Sequence, residues 1–476
     1  MALIAFGSVA AGFAAELSPA TEKLLAAAAG LRDKGEFKKA ESLLGAALKK
    51  QNGLQENELK KIAFEADLLR RIRQDFSLTG EQLFDRLAKS LDGLTRQEFH
   101  TWMADGRFES RVIDGTRYFA DTSVSNLYFR HPELNARRRA PRDISYYAKV
   151  LENCRVIQQA AKREKKPYVL PHRLKMTLTV TVKSNTVPHG EIIRAWLPVP
   201  RKYPFQKDFQ LLNSSSPVLY LADEQSPIRS AYLEQPAQNA APTQFQIQHE
   251  YTTHGIRFDL RPEKVKPYNP DDPIVQQFTR ESPHVVFTDR IRALSQQIVG
   301  PETNALKKAR AIYDWIGGNI KYSYALEYST ITNISDYCLS KNYGDCGQQA
   351  LLFITLCRAQ GIPARWQSGW FVFPGHINIH DWSEIYIPPY GWIPVDADLG
   401  NALVRYATLL TPEERREARD FYFGGLDQYR MAANSDHSQP LNPAKKWFRS
   451  DDVDFQRGEL EWDGGNIYFD RYSYFA

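Results

Sequence analysis

The chain has few cysteines. The four (Cys154, Cys338, Cys346 and Cys357) are spaced too irregularly for a disulfide framework or a zinc site. Past the first residues, no apolar run approaches the length needed to span a bilayer, so no membrane span is expected. Charge of one sign is also scarce: the net charge is +5 over 476 residues. The short basic runs at Arg137–Arg139 and Lys162–Lys166 read as solvated faces, and no nucleic-acid-reading module accompanies them. No segment recurs at a fixed period, which argues against a repeat array. No calcium-binding pattern or prosthetic-group motif is visible, and no cofactor is expected.

What is present is apolar surface enough for several cores. Hydrophobic residues make up 43% of the chain and aromatics 12%, and the length suits two to four domains. The opening "MALIAFGSVAAGFAAELSPA" has the apolar stretch and small-residue end of a secretory segment, without a basic start, so residues 1–20 suggest export to a periplasm or beyond. Residues 21–105 read as helical. In "GEFKKAESLLGAALKK", Phe37, Ala40, Leu43, Leu44, Ala47 and Leu48 fall on one stripe. Residues 106–170 are a mixed linker region. The period then changes to two in "HRLKMTLTVTVKSN", where Leu174, Met176, Leu178, Val180 and Val182 share a face. With "EIIRAWLPVPR" and "FQIQHEYTTHG" it predicts a β-sandwich domain over 171–265. Helical spacing returns in "ETNALKKARAIYDWIGGNI", and a charged, Tyr-rich extension fills 406–476.

The chemistry concentrates in "NYGDCGQQALLFITLCRAQGIPAR". Gly344 and Asp345 suit a turn and helix entry, and Ala350, Leu351, Ile354 and Cys357 share a helical face. Gly361 and Pro363 follow in the order that ends a helix. Cys346 therefore falls in the first turn, where the helix dipole and free N–H groups favour a thiolate, with an expected pKa of roughly 3.5–7.5. Cys357 reads as a buried packing residue. Downstream, "HDWSEIYI" reads as a strand beginning at His380, "PPYG" as a turn, and "WIPVDAD" as the returning strand bearing Asp396. For His380 and Asp396 to share a sheet face, the loop between the strands must be odd in length or carry a bulge. Asp398 is a close rival of Asp396, because strict alternation puts both on one face. His376 and His380 stand four apart, but the segment enters a strand and no Glu lies between them, so a helical metalloprotease motif fails. Arg365 is expected to pair with a core acid, and Tyr429 and Arg430 to serve packing and ion pairing.

Taken together, "GDCGQQALLFITLCRAQGIPARWQSGWF", "HDW" and "GWIPVDADLG" resemble the core of the transglutaminase-like superfamily over roughly 285–405. The resemblance implies an α+β, papain-like core, here preceded by a β-sandwich and an N-terminal helical region. It makes Cys346 the nucleophile, His380 the general base and acid, and Asp396 the orienter. The implied chemistry passes through a thioester, most simply hydrolysing a peptide or amide bond of a peptide or protein substrate such as a cell-wall peptide. Glutamine-to-amine transfer uses the same triad, and a non-catalytic peptide-binding module is the reading from another class. The Cys346 N–H suits one oxyanion donor, and Tyr322 or Tyr343 could be the other.

Overall fold

The computed structural model describes residues 17–50 and 53–476. The expected export segment, apart from its last residues, lies outside them. The chain divides into two compact units, one of Met1–Asp85 and Gln97–Asp121, the other of Arg86–Arg96 and Thr122–Ala476. In the first, the helices Pro19–Asp33, Phe37–Lys50, Glu56–Asp75 and Arg96–Ala104 join the hairpin Ser110–Ile113/Thr116–Phe119. The stripe read from sequence turns inward as Phe37, Ala40 and Leu44. Ser18 caps the first helix by accepting from the Thr21 N–H, and Glu58 accepts from the Ser18 hydroxyl at 2.6 Å.

The second unit is mixed α+β, with a central β-rich region and the candidate catalytic core. Tyr168–Val182 and Thr243–Arg257 form a long antiparallel pair. As the alternation predicts, Met176, Leu178, Val180 and Val182 are buried. Ile192–Pro198 and Ser230–Pro236 pair in a second antiparallel sheet. Apolar residues of both sheets, among them Leu178, Ile193, Leu233 and Phe245, share one core cluster. The structure shows a β-rich region here, without the self-contained β-sandwich expected of 171–265. Each sheet is completed from the C-terminal stretch: Gly425–Leu426 and Tyr472–Phe475 join the first, and Glu459–Trp462 and Gly465–Ile467 the second.

The site rests on a third sheet, with strand order Gly391–Val395, His376–Ile387, Ala364–Phe373, Arg430–Ala432, every pair antiparallel. Against it packs the helix Cys346–Ala359. This helix is apolar nearly all round because the helices Asp289–Val299, Ala305–Asn319 and Ile334–Lys341 cover its other sides. Leu351, Leu352, Phe353, Ile354 and Leu356 are completely buried, each contributing about 1.5–3 kcal/mol. The strand bearing His380 begins four residues earlier than its sequence suggests, at His376, because Phe373 and His376 pair across the turn at Pro374–Gly375.

Candidate active site

The helix start is built by its neighbours. Asp345 is the N-cap, accepting the Gln348 N–H at 3.0 Å, and Tyr328 donates its hydroxyl to the same carboxylate oxygen at 2.6 Å. Gly347 is required by close approach: a Cβ there would lie 2.1 Å from the Tyr328 hydroxyl and 2.8 Å from Asp381 Oδ2. Cys346 is left partly exposed in the first turn, while Cys154, Cys338 and Cys357 are buried.

The hairpin brings His380 and Asp396 together as the parity argument requires. Ser383 pairs with Val395 and Ile387 with Gly391, which leaves the odd, three-residue loop 388–390. His380 Nε2 lies 2.7 Å from Asp396 Oδ2. With Nε2–H donating to the carboxylate, Nδ1 is the ring nitrogen left to accept a proton. The Cys346 sulfur, a His380 ring nitrogen and an Asp398 carboxylate oxygen lie within 4.8 Å of one another. Trp382, fully buried, stacks beside His380 with ring centroids 6.0 Å apart, and its indole N–H is taken by Gln367.

Asp396 differs from its expected setting. The strand ends at Val395, and Asp396 caps the helix Ala397–Tyr406 by accepting the Leu399 N–H at 2.9 Å. Asp398 therefore lies in a helical first turn and not on a strand face. Capping fixes the Asp396 carboxylate more firmly than a strand position would, since one oxygen serves the helix and the other His380.

Arg430 completes this side. It is fully buried, donates to Asp396 Oδ2 at 2.9 Å, and donates through Nε and Nη2 to Asp427 at 3.0 and 2.8 Å. The Arg430 strand approaches so closely that a Cβ on Gly369, the residue paired with His380, would lie 1.7 Å from the Met431 carbonyl. Burial alone would raise the Asp396 pKa, but His380, Arg430 and the Leu399 N–H outweigh it and hold the group at about 2. Arg430 does serve ion pairing, as its sequence suggests. Sequence reasoning missed which acid it pairs with. The Asp427 and Arg430 of "FGGLDQYR", three apart in an apolar stretch, were the only signal.

The sulfur's own surroundings overturn the expectation of a low thiol pKa. Burial, then Asp381, Asp345 and Asp398, push Cys346 well above the ordinary thiol range. The thiol donates to Asp381 Oδ2 at 3.4 Å, and the Asp381 backbone N–H, which works in the opposite direction, does not offset the rest. The helix start supplies a partial charge only, whereas burial and three carboxyl groups act against the thiolate. Those carboxyls shift too. Burial and the neighbouring Asp454 and Asp345 raise Asp381, burial with Asp396 and Asp345 raises Asp398, and burial lifts Asp345 to about 7. Gln349 holds Asp398 at 2.9 Å, and Gln456 holds Asp381 at 2.5 Å. Arg365 pairs with buried Glu384 at 2.6 Å, as expected.

Residues 292–397 match the family model described as Transglutaminase-like superfamily. Two uncharacterized proteins are similar in sequence. YebA of Bacillus subtilis (strain 168) is 26% identical over 131 residues, covering 24% of this chain and 18% of YebA. A protein of Haemophilus influenzae (strain ATCC 51907 / DSM 11121 / KW20 / Rd) is 24% identical over 198 residues, covering 36% of this chain and 52% of the other. The chain thus spans about a fifth and about half of these relatives. Among solved structures, a candidate cysteine protease from Cytophaga hutchinsonii is 23% identical, with a TM-score of 0.37, over 48% of this chain and 79% of that one. The periplasmic domain of TgpA from Pseudomonas aeruginosa is 16% identical, with a TM-score of 0.25, over 57% and 96%. The clustered cysteine, histidine and carboxylate groups, lying within or beside the matched segment, support cysteine-based catalysis. Over residues 292–397 the chain thus resembles the transglutaminase-like superfamily, with a cysteine, histidine and carboxylate cluster gathered at the matched segment.

Proposed function

We propose that the protein hydrolyses peptide or amide bonds through a thioester on Cys346. The observation that carries this reading is the His380–Asp396 contact of 2.7 Å, beside Cys346 in the first turn of a helix. Because the sulfur rests as a thiol, His380 Nδ1 takes its proton as the sulfur attacks the carbonyl carbon. The resulting imidazolium is stabilised by Asp396, which Arg430 and the helix cap keep ionised. His380 then gives that proton to the leaving amine as the C–N bond breaks. Water, deprotonated by His380, cleaves the thioester and restores the thiol. The Cys346 backbone N–H is one donor to the tetrahedral oxyanion. Tyr322 is the other, kept protonated by burial beside Asp398 and Cys346. An exported location, with peptides outside the cytoplasm as substrates, fits the opening segment of the sequence.

The test is incubation with a peptide library, with and without a primary amine, with products read by mass. Hydrolysed peptides in both arms support the proposal. Amine-joined products replacing them make the protein a transferase, and no products in either arm favour a binding module.

A further inference from the structure

Arg142 stands just before the helix Tyr146–Glu164, with its guanidinium over the Phe129 ring at 4.9 Å. It is half-buried, and among the described residues it makes no hydrogen bond and no ion pair. Its charge is felt instead by four tyrosines, Tyr146, Tyr147, Tyr322 and Tyr324. Aromatic faces attract a guanidinium but give its five N–H donors no acceptor. A half-buried cation flanked by aromatic rings, with no protein acceptor for its donors among the described residues, is a site suited to a carboxylate, which can take two of them side by side.

The surroundings connect this cation to the reacting atoms. Phe129, which carries Arg142, packs edge-on against Tyr322 at 4.7 Å and Tyr324 at 5.4 Å. Tyr322 in turn interacts with Cys346 and Asp398. Asp398, whose carboxyl is within 4.8 Å of the sulfur, is itself acted on by Arg142. Tyr146 stacks flat on His376, at 4.2 Å and 6°, and His376 lies four residues before His380 on the same strand. Burial and then Arg142 lower the His376 pKa, so this wall adds no second cation at neutral pH. Asp398 is the acid of the site nearest in effect, but its own carboxyl is held by Gln349 and turned toward Cys346 and His380.

We propose that Arg142 is an anion subsite beside the Cys346 site, and that the substrate carries a carboxylate near the bond attacked by Cys346. The inference rests on Cys346 being the nucleophile. It narrows the substrates to acidic peptides, those with a glutamate-like side chain or a free terminal carboxylate near the scissile carbonyl.

The experiment compares matched alkylating probes on the full chain: iodoacetyl-Gly-Glu-amide against iodoacetyl-Gly-Gln-amide, and the same pair without Gly. Labelling of the Cys346 peptide is followed by mass. In the wild type, the carboxylate probe of at least one pair labels about tenfold faster than its carboxamide partner. Arg142→Gln removes that preference and leaves the carboxamide rate unchanged, which also shows that the variant is folded. Arg142→Lys keeps part of the preference, because it retains the charge and loses the paired donors. Equal rates for both probes in the wild type, or a preference that survives Arg142→Gln, overturn the subsite and leave the nucleophile standing. Failure of every probe to label Cys346 overturns the catalytic reading and the subsite with it.

Discussion

Asp396 and Asp398 stand two residues apart at the start of one helix, both buried, and their protons are governed in opposite ways. Asp396 is hydrogen-bonded to His380 and to the Arg430 guanidinium, and stays ionised down to about 2. Asp398 has a neutral amide, Gln349, as its hydrogen-bond partner, and it faces Asp396 and Asp345, so burial raises it well above the usual carboxylate range. The contrast extends across the site. One side is a closed charge network of His380, Asp396, Arg430 and Asp427. The other is a set of carboxyls, Asp345, Asp381 and Asp398, packed around the sulfur. Equal burial thus yields opposite protonation, and the neighbour's charge decides which. An imidazole that must become positive sits against the ionised side, and a sulfur that must lose a proton sits against the protonated one. The division predicts a resting thiol at Cys346 rather than a preformed thiolate.

The largest effect should come from breaking the ionised side at its base. His380→Ala should lower turnover by about two to four orders of magnitude with the fold intact, measured as kcat/KM on a peptide found in the library screen. A wild-type rate would reassign the base. Next, Arg430→Met leaves Asp396 and Asp427 buried without their cation. Denaturant unfolding should show a loss of about 3–5 kcal/mol, since removing one partner strands the other's charge. A loss within the error of the measurement would mean that Arg430 does not sustain the contrast.

The protonated side is tested by smaller changes. Asp381→Asn removes one carboxyl from beside the sulfur, so the pH dependence of iodoacetamide labelling at Cys346 should move to lower pH. An unmoved profile would show that Asp381 does not hold the thiol up. The smallest effect concerns Asp345, raised to about 7 from its ordinary 3.8. Here the folded chain binds a proton that the unfolded chain releases, so this group's contribution to stability falls as pH rises from about 4 towards about 7. Asp345→Asn keeps an acceptor at the cap and should flatten that fall in a series of urea melts. Asp396 has the opposite sign: its contribution is present above 3.8 and lost as pH falls towards about 2.

How far these regions were legible in sequence follows the same division. The helix beginning at Cys346 shows itself through a cap, an apolar face and a Gly–Pro stop, all local signals. The hairpin's odd loop follows from the two-residue period alone. The His380–Asp396 contact is legible because both ends lie within one hairpin. Arg430 is not, because it reaches Asp396 only through a strand added at the edge of the sheet from 34 residues downstream. Nor are the carboxyls around the sulfur. Asp381 and Asp398 come to Cys346 from separate elements, and a pKa depends on such gathered charges rather than on position in a helix. The alternation of "WIPVDAD" predicts strand through Asp398, but the chain turns into a helix at Ala397 because the capping role of Asp396 outweighs that pattern. The β-rich region reads correctly strand by strand, but strands returning from beyond residue 420 complete its sheets.

The central claim is that acyl transfer passes through the Cys346 sulfur. Acid-quenched reactions with a turned-over peptide, digested and read by mass, measure it directly. The wild type should carry the acyl increment on the peptide containing Cys346, and Cys346→Ala should show neither increment nor turnover. An increment on another residue, or turnover undiminished in Cys346→Ala, would contradict it.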